Sequence, residues 1–208
     1  MNHDYDSIAR FYDWAAGWTL SPVRRAVAQM ALCSGAEKIL DIGCGTGLQL
    51  LELKRQGLTA VGVDNSEAML GVARGRLGGD DEAALVLSSG SGLPFGDDAF
   101  DLAIMMLLLH ESADEPFGLL DEALRLAPCL YILDWGMPER NLDCPVHSAV
   151  RFVERLAGSR HYTSYKAYLR QGALEGLMLR YSRERRVRVA WRKQMFFNSI
   201  LMMQLERA

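Results

Sequence analysis

The chain has 208 residues, half of them apolar, and a formal net charge of −3. This length and composition fit one hydrophobic core, and we expect residues 1–208 to form a single domain. The small negative charge offers no field that attracts nucleic acid or an anionic membrane. We therefore predict a small-molecule substrate, no nucleic-acid partner, no membrane insertion, and a monomer or homodimer.

The four cysteines include no C-x-x-C pair and have no ligand-like spacing with the four histidines. The sequence therefore predicts neither a metal site nor a disulfide framework. The amino terminus is acidic and lacks the features of a signal peptide, and the longest apolar run, residues 103–109, is too short to span a bilayer. We expect a cytoplasmic protein.

Helical and strand patterns alternate along the chain. Residues 5–32 have helical spacing and are followed by predicted strands at 38–42, 59–63, 84–88, 101–106 and 129–134, with helices at 48–56, 66–76 and 116–126. Residues 145–175 are helical in pattern and rich in aromatics, and two further strands follow, the last near 195–204. The alternation is typical of a doubly wound α/β fold with a parallel sheet. We predict a helical lid at 1–32 and a helical cap at 145–175.

A glycine-rich turn follows the first predicted strand, in the sequence KILDIGCGTG of residues 38–47. Glycine has no Cβ, so it adopts positive φ easily and lets a ligand approach the backbone closely. The turn therefore predicts a nucleotide-like cofactor site.

The spacing of the glycines separates the candidate cofactors. A dinucleotide-binding fingerprint needs its third glycine at the position of Leu48, so the turn does not fit NAD. A P-loop needs a Lys followed by Ser or Thr at the end of the turn, and this sequence has none there, so the turn does not fit ATP or GTP binding of that kind. The remaining pattern, Asp41, Gly43, Gly45 and Gly47, resembles the first motif of class I S-adenosylmethionine-dependent methyltransferases.

A second acid supports this resemblance. Asp64 ends the second predicted strand, where a carboxylate can accept hydrogen bonds from both hydroxyls of a ribose. Ser66 is the predicted N-cap of the next helix. In the family the second acid binds the ribose and an apolar residue lies against the adenine. The resemblance therefore implies cofactor contacts from Asp64, Asn65 and Met69.

Residues 93–104, LPFGDDAFDLAI, are similar to a motif of the small-molecule members of the family. The family usually has Asp four residues before the Leu, and this chain has Ser89, whose uncharged hydroxyl accepts a hydrogen bond more weakly. The resemblance implies a seven-stranded, mostly parallel, Rossmann-like sheet with helices on both faces and a helical cap. The cofactor residues that it implies are Asp41, Gly43, Cys44, Gly45, Gly47, Asp64, Asn65, Met69, Ser89, Gly90 and Met105.

In such a sheet, ligands bind at the carboxyl ends of the strands where strand order reverses, here between the first and fourth strands. Displacement of an activated methyl group needs chiefly an aligned nucleophile in a water-poor site, although a hydroxyl or carbon acid also needs a base. His110 is the candidate base, with a structural histidine as the alternative. Glu111 and Asp134 are further candidates, with helix caps or loop acceptors as their alternative.

The opening YDSIARFYD of residues 5–13 resembles the start of many quinone methyltransferases, and residues 161–171 resemble their substrate cap. The resemblance implies substrate contacts from Tyr12, Met106, His110, Trp135, His161, Tyr162 and Tyr165.

Two functions stay open at this point. The first is a methyltransferase that converts S-adenosylmethionine to S-adenosylhomocysteine and methylates a small, hydrophobic or aromatic acceptor. The second is a cofactor-binding regulatory protein with no transfer activity. The basic residues between 180 and 193 alternate with Val187, Val189 and Trp191, which predicts a half-exposed edge strand rather than an anion-binding site.

Overall fold

A computed structural model describes residue 17 and residues 19–78, 85–112, 116–137, 145–156 and 158–208. The helices are α1 (Ser21–Ser34), α2 (Leu48–Arg55), α3 (Glu67–Leu77), α4 (Pro116–Leu126), α5 (Pro145–Leu156), α6 (Ser159–Arg170) and α7 (Ala173–Glu184). The strands are β1 (Lys38–Ile42), β2 (Thr59–Asp64), β3 (Leu85–Leu87), β4 (Leu102–Met106), β5 (Cys129–Trp135), β6 (Val187–Met195) and β7 (Ile200–Arg207).

The seven strands form one sheet in the order β3-β2-β1-β4-β5-β7-β6. The first five pair in parallel, whereas β7 is antiparallel to both β5 and β6. The predicted doubly wound, mostly parallel sheet is therefore confirmed. Strand order reverses between β1 and β4, so the carboxyl ends of these two strands form the crevice in which this fold binds ligands.

Consecutive residues are buried along the central strands. Four of five residues are buried in β1 and six of seven in β5. Because successive side chains point to opposite faces of a strand, this pattern requires cover on both faces of the sheet. Helix α1 contributes to the core through Val27, Ala28 and Ala31, all fully buried. The second half of the predicted lid is thus core, and residues 1–16 lie outside the described residues.

The prediction for the last strand is wrong in its boundaries. β6 ends at Met195 and β7 begins at Ile200, so the turn lies inside the predicted strand of 195–204. The turn contains Phe196, Phe197 and Asn198, each at positive φ. Sequence reasoning missed it because residues 195–201 lack Gly and Pro, the strongest turn signals.

The helical cap continues beyond its predicted end at residue 175. Gly172, at φ 92°, separates α6 from α7, and α7 runs to Glu184. Edge strand β6 agrees with the sequence interpretation of the basic segment, because Trp191 is half-buried while Arg192 and Lys193 are exposed. Among the residues that the structure describes, no helix is both long enough and apolar enough to span a bilayer.

The residues of the LPF motif form part of the scaffold. Glu122 accepts a hydrogen bond from the amide of Leu93 at 2.7 Å, and Arg125 donates to the carbonyls of Leu93 and Phe95 at 3.3 and 3.0 Å. Helix α4 thereby holds the loop that leads into β4.

Gly62 in β2 is packed so closely that we predict it tolerates no side chain. A Cβ there would lie 2.5 Å from Leu50 Cδ1 and 2.8 Å from Cys44 Sγ. We expect Gly62→Ala to lower the free energy of unfolding by about 1 to 3 kcal/mol, as overpacked cores do. Gly71→Ala is the control, because a Cβ at Gly71 in α3 meets nothing within 4 Å. That substitution should stabilise the protein by about 0.5 to 1 kcal/mol. Urea denaturation measures both changes, and a tolerated Gly62→Ala would contradict the packing argument.

Candidate functional site

The glycine turn is hydrogen-bonded to the neighbouring strand. The amides of Gly43 and Cys44 both donate to the carbonyl of Val63, at 2.8 and 2.9 Å. The amide of Gly47 then donates to the carbonyl of Cys44 at 2.9 Å. Gly43, Gly45 and Gly47 all have positive φ, at 76°, 53° and 77°. The shape of the turn therefore depends on glycine, as the sequence predicted.

The three glycines have different surroundings. A Cβ at Gly43 would collide with Leu108, and one at Gly47 would collide with Ala73, both at 2.9 Å. A Cβ at Gly45 would meet nothing within 4 Å in the described part of the chain. Gly43 and Gly47 thus permit close packing, whereas Gly45 borders open space at the carboxyl end of β1.

Asp64 joins this turn to the next loop. Its Oδ2 accepts a hydrogen bond from the Gly45 amide at 2.8 Å, and its Oδ1 accepts one from the Ser66 amide at 2.9 Å. Burial raises the pKa of the Asp64 carboxyl, and the bonds from Ser66 and Gly45 act in the opposite direction. Each carboxylate oxygen can accept a second hydrogen bond, so Asp64 can still receive the two hydroxyls of a ribose.

Asp41 is a buried carboxyl group with an unsatisfied oxygen. The residue is 1% exposed, and its Oδ2 has no hydrogen-bond donor among the residues that the structure describes. Burial, followed by the negative charge of Asp64, raises the pKa of Asp41 to about 7, while Arg24 opposes the shift. An unpaired buried acceptor is costly, so this oxygen suits a ligand that brings a donor or a positive charge.

The start of α3 is organised as predicted. Ser66 caps the helix by accepting a hydrogen bond from the Met69 amide at 3.3 Å. Met69 is half-buried and Asn65 is exposed. Ser89 is also exposed, and its hydroxyl lies 3.1 Å from that of Ser91.

Three other predicted cofactor residues lie deeper. Met105 on β4 is fully buried in the core, and Cys44 is 7% exposed. Gly90 is buried, and a Cβ there would lie 2.9 Å from Leu119. The described site surface therefore comes from the glycine turn, Asp64 and the start of α3. Met105 stays a prediction, with its side chain inside the core.

A second polar group of residues lies at the carboxyl ends of β4 and β5, and we call it the His110 cluster: His110, Glu111, Asp134, Glu154 and His161. His110 Nδ1 lies 2.8 Å from Asp134 Oδ1. Asp134 Oδ2 also accepts bonds from the amides of Leu109 and His110, at 2.8 and 3.2 Å. One carboxylate thus fixes both the ring and the backbone of the loop after β4.

Glu154 on α5 is the member that sequence reasoning missed. It is 1% exposed, its Oε1 accepts a hydrogen bond from Trp135 Nε1 at 3.0 Å, and its Oε2 is hydrogen-bonded to His161 Nε2. The available signal was its place four residues after Val150, which puts Glu154 on the same helix face as a buried residue.

The surroundings of His110 oppose a role as general base. Its side chain is 0% exposed. Burial alone would lower the pKa of His110, but the charge and hydrogen bond of Asp134 and the charges of Glu154 and Glu111 raise it to about 10. An imidazole with that pKa carries its second proton at neutral pH and has no free lone pair for a substrate proton. His110 as a catalytic residue stays a prediction.

The predicted substrate residues divide by depth. Trp135 and Tyr165 are 7% and 2% exposed, whereas Met106, His161 and Tyr162 are half-buried. Tyr162 stacks on Tyr165 with ring centroids 6.4 Å apart. Met106, His161 and Tyr162 stay predicted substrate contacts, and their side chains keep some exposed surface in the described part of the chain. Tyr12 lies outside the described residues.

Comparisons with known proteins place this geometry in context. Residues 40–127 match the family described as a methyltransferase domain. A demethylmenaquinone methyltransferase of Clavibacter sepedonicus is 42% identical over 102 residues, which are 49% of this chain and 40% of that protein. A ubiquinone/menaquinone biosynthesis C-methyltransferase of Geobacter sulfurreducens is 29% identical over 133 residues, 60% of this chain and 52% of that one.

The fold is shared with solved methyltransferase structures. The magnesium protoporphyrin IX methyltransferase of Synechocystis, solved with bound S-adenosylhomocysteine, matches with a TM-score of 0.65 at 17% identity, over 91% of this chain and 84% of that one. The sequence matches to the two curated relatives cover 40% and 52% of their length. Residues 40–127 are therefore similar to a methyltransferase domain, and the sheet shares its fold with solved methyltransferase structures.

Proposed function

We propose that this protein transfers a methyl group from S-adenosylmethionine to a small hydrophobic or aromatic acceptor and releases S-adenosylhomocysteine. The observation that carries the proposal is the junction between the ends of β1 and β2. There the open space beside Gly45 is flanked by Asp64, with acceptor capacity to spare, and by Asp41, with an unpaired oxygen.

The residues of this junction fit the cofactor group by group. Asp64 suits the ribose hydroxyls, and the unpaired Oδ2 of Asp41 suits the ammonium of the methionine part. The two carboxyls also favour the positive charge of a sulfonium ion. When bound, the cofactor supplies a methyl group on a positively charged sulfur, which a nucleophile can displace directly.

The acceptor class rests on the lining near the end of β4. Met106, Leu107 and Leu108 are half-buried and apolar, and they adjoin the glycine turn through the close approach of Leu108 to Gly43. Such a wall excludes water and favours a hydrophobic acceptor. The names of the relatives support the same class, because they refer to demethylmenaquinone and to a magnesium porphyrin.

The proposed kind of partner, cellular location and oligomeric state rest on the sequence. The net charge of −3 supports a small molecule rather than nucleic acid as the partner. We propose that the protein acts in the cytoplasm as a monomer or homodimer.

A methyl-transfer assay tests the proposed activity. The purified chain is incubated with methyl-labelled S-adenosylmethionine and, separately, with a demethylated naphthoquinol, a simple phenol and a porphyrin carboxylic acid. We expect the wild-type protein to give labelled product from the naphthoquinol. The Gly45→Val variant should give no labelled product from the same acceptor. Tight binding of S-adenosylhomocysteine without labelled product from any acceptor would contradict the enzyme and favour the cofactor-binding regulatory protein.

Gly45→Ala is expected to weaken cofactor binding at least tenfold, because its methyl group would occupy the open space of the site. Gly57→Ala is a matched control, since Gly57 also has positive φ (78°) and no neighbour within 4 Å, but lies after α2. Both variants carry the backbone strain of an alanine at positive φ. Calorimetric titration with S-adenosylhomocysteine should show the loss only for Gly45→Ala; equal losses would attribute the effect to strain.

The raised pKa of Asp41 predicts how the stability of the ligand-free protein changes with pH. Its pKa is raised from 3.8 to about 7 in the fold, so the stability of the ligand-free protein falls as pH rises between these values and levels off above them. Asp41→Asn should remove this fall and stabilise the ligand-free protein by up to about 4 kcal/mol at pH 8. Thermal or urea unfolding at pH 5 and pH 8 measures the difference.

The same substitution should weaken cofactor binding at least tenfold, because a neutral amide gives no charge-assisted bond to an ammonium group. Wild-type affinity should rise between about pH 6 and 7.5 as Asp41 ionises, and the variant should lack this rise. Asp101→Asn is the control: Asp101 is exposed, and bonds from the amides of Lys38 and Glu37 lower its pKa. A pH-independent wild-type affinity would contradict the role of Asp41.

A further inference from the structure

Three potential metal ligands meet beneath the cap helices. His110 follows β4, Glu154 lies on α5 and His161 lies on α6, and one ligand atom from each lies within 4.8 Å of the others. His110 Nε2 and Glu154 Oε1 are 3.7 Å apart. The two side chains are 0% and 1% exposed. The three residues therefore present two imidazoles and a carboxylate around one small buried volume.

An independent observation indicates that this volume suits a ligand. His110 Nε2 has no hydrogen-bond partner in the described part of the chain, although the residue is fully buried. Buried ring nitrogens are almost always hydrogen-bonded, so an unpartnered one needs an explanation. This nitrogen faces Glu154 and Glu111, at 3.7 and 3.8 Å.

Each potential ligand also has an outer partner. Asp134 holds His110 Nδ1 at 2.8 Å, Trp135 Nε1 donates to Glu154 at 3.0 Å, and Glu111 lies 3.7 Å from His161 Nδ1. Metal-binding histidines commonly donate their second ring N–H to a carboxylate, which fixes the ring and raises its basicity. His110 has this arrangement through Asp134, whereas the Glu111 carboxylate lies near His161 Nδ1 at 3.7 Å, beyond hydrogen-bond distance.

We propose that His110, Glu154 and His161 bind one divalent transition-metal ion, with Zn²⁺ as the best fit. Zn²⁺ accepts imidazole nitrogen and carboxylate oxygen, and a site of three protein ligands leaves a fourth position open. A metal binds only the neutral imidazole ring, so Zn²⁺ would displace the second proton of His110 as it binds. Mg²⁺ and Ca²⁺ prefer sites made only of oxygen. Tetrahedral bonds of roughly 2.0 to 2.1 Å place ligand atoms roughly 3.4 Å apart. The 3.7 Å between His110 and Glu154 requires a small closure, and separations of up to 4.8 Å within the trio require a larger one.

The ion would join the cap to the sheet, because one ligand follows β4 and the other two lie on α5 and α6. It can enter from the side of His161 and Glu111, whose side chains are 15% and 41% exposed. Metal that binds only the folded state adds to stability by mass action. The site is separate from the glycine turn, and its test does not depend on methyl transfer.

Calorimetric titration of the chelator-treated, tag-free full chain with Zn²⁺ at pH 7.5 tests the proposal. We expect one ion per chain with a micromolar or tighter Kd, together with a rise in Tm. Glu154→Gln and His161→Gln should each weaken binding at least tenfold and remove the rise in Tm. His161 is less buried than Glu154, with side chains 15% and 1% exposed, so its variant keeps the test valid if Glu154→Gln fails to fold.

Two control variants address adventitious binding. The double variant His3→Gln/His147→Gln removes the other two histidines, and Cys33→Ser removes an exposed thiol. Both should bind Zn²⁺ as the wild type does, and Mg²⁺ should not bind in any of these proteins. No Zn²⁺ binding by the wild type, or undiminished binding by a folded His161→Gln variant, would overturn the proposal.

Discussion

The carboxylate of Asp64 fixes the relative position of the two loops that form the proposed cofactor site. It accepts the Gly45 amide on one oxygen and the Ser66 amide on the other. The carbonyl of Val63, one residue earlier, accepts two further amides of the glycine turn. The end of β2 therefore sets the shape of the turn after β1 before any ligand arrives. Such pre-organisation lowers the ordering cost of binding.

The carboxylate of Asp134 plays the same structural role at the carboxyl ends of β4 and β5. Asp134 accepts the amides of Leu109, His110 and Trp135, as well as the ring of His110. Asp41 contrasts with both, because it is as buried as Asp134 and yet one of its oxygens has no donor in the described residues. We therefore assign the unpaired carboxyl of Asp41 to the ligand. Its raised pKa corresponds to a lower free energy of unfolding of the ligand-free protein when Asp41 is ionised.

Local patterns in the sequence were sufficient to predict the glycine turn and the strands beside it. The strand, the glycine spacing and Asp64 occur within residues 38–64, and a parallel sheet brings such strand ends together by its topology. The turn after β6 was missed because three residues other than glycine adopt positive φ there. The compositional signs of this turn are Asn198 and Ser199, because neither Gly nor Pro occurs in it.

The His110 cluster could not be predicted from spacing. Its proposed ligands come from a strand end and two different helices, so their meeting depends on how the cap packs on the sheet. The sequence expectation of no metal site rested on the absence of a ligand motif along the chain. Likewise, the aromatic pattern of α6 did not separate Tyr165, which is buried, from Tyr162, which is half-buried.

The central claim is that the junction of β1 and β2 binds the cofactor. A crystal structure of the complex with S-adenosylhomocysteine tests it most directly. The account predicts the ribose hydroxyls within hydrogen-bond distance of Asp64, the ligand ammonium beside Asp41 Oδ2, and the ligand against the backbone of Gly45. A ligand bound elsewhere, or one whose ribose makes no contact with Asp64, would contradict it.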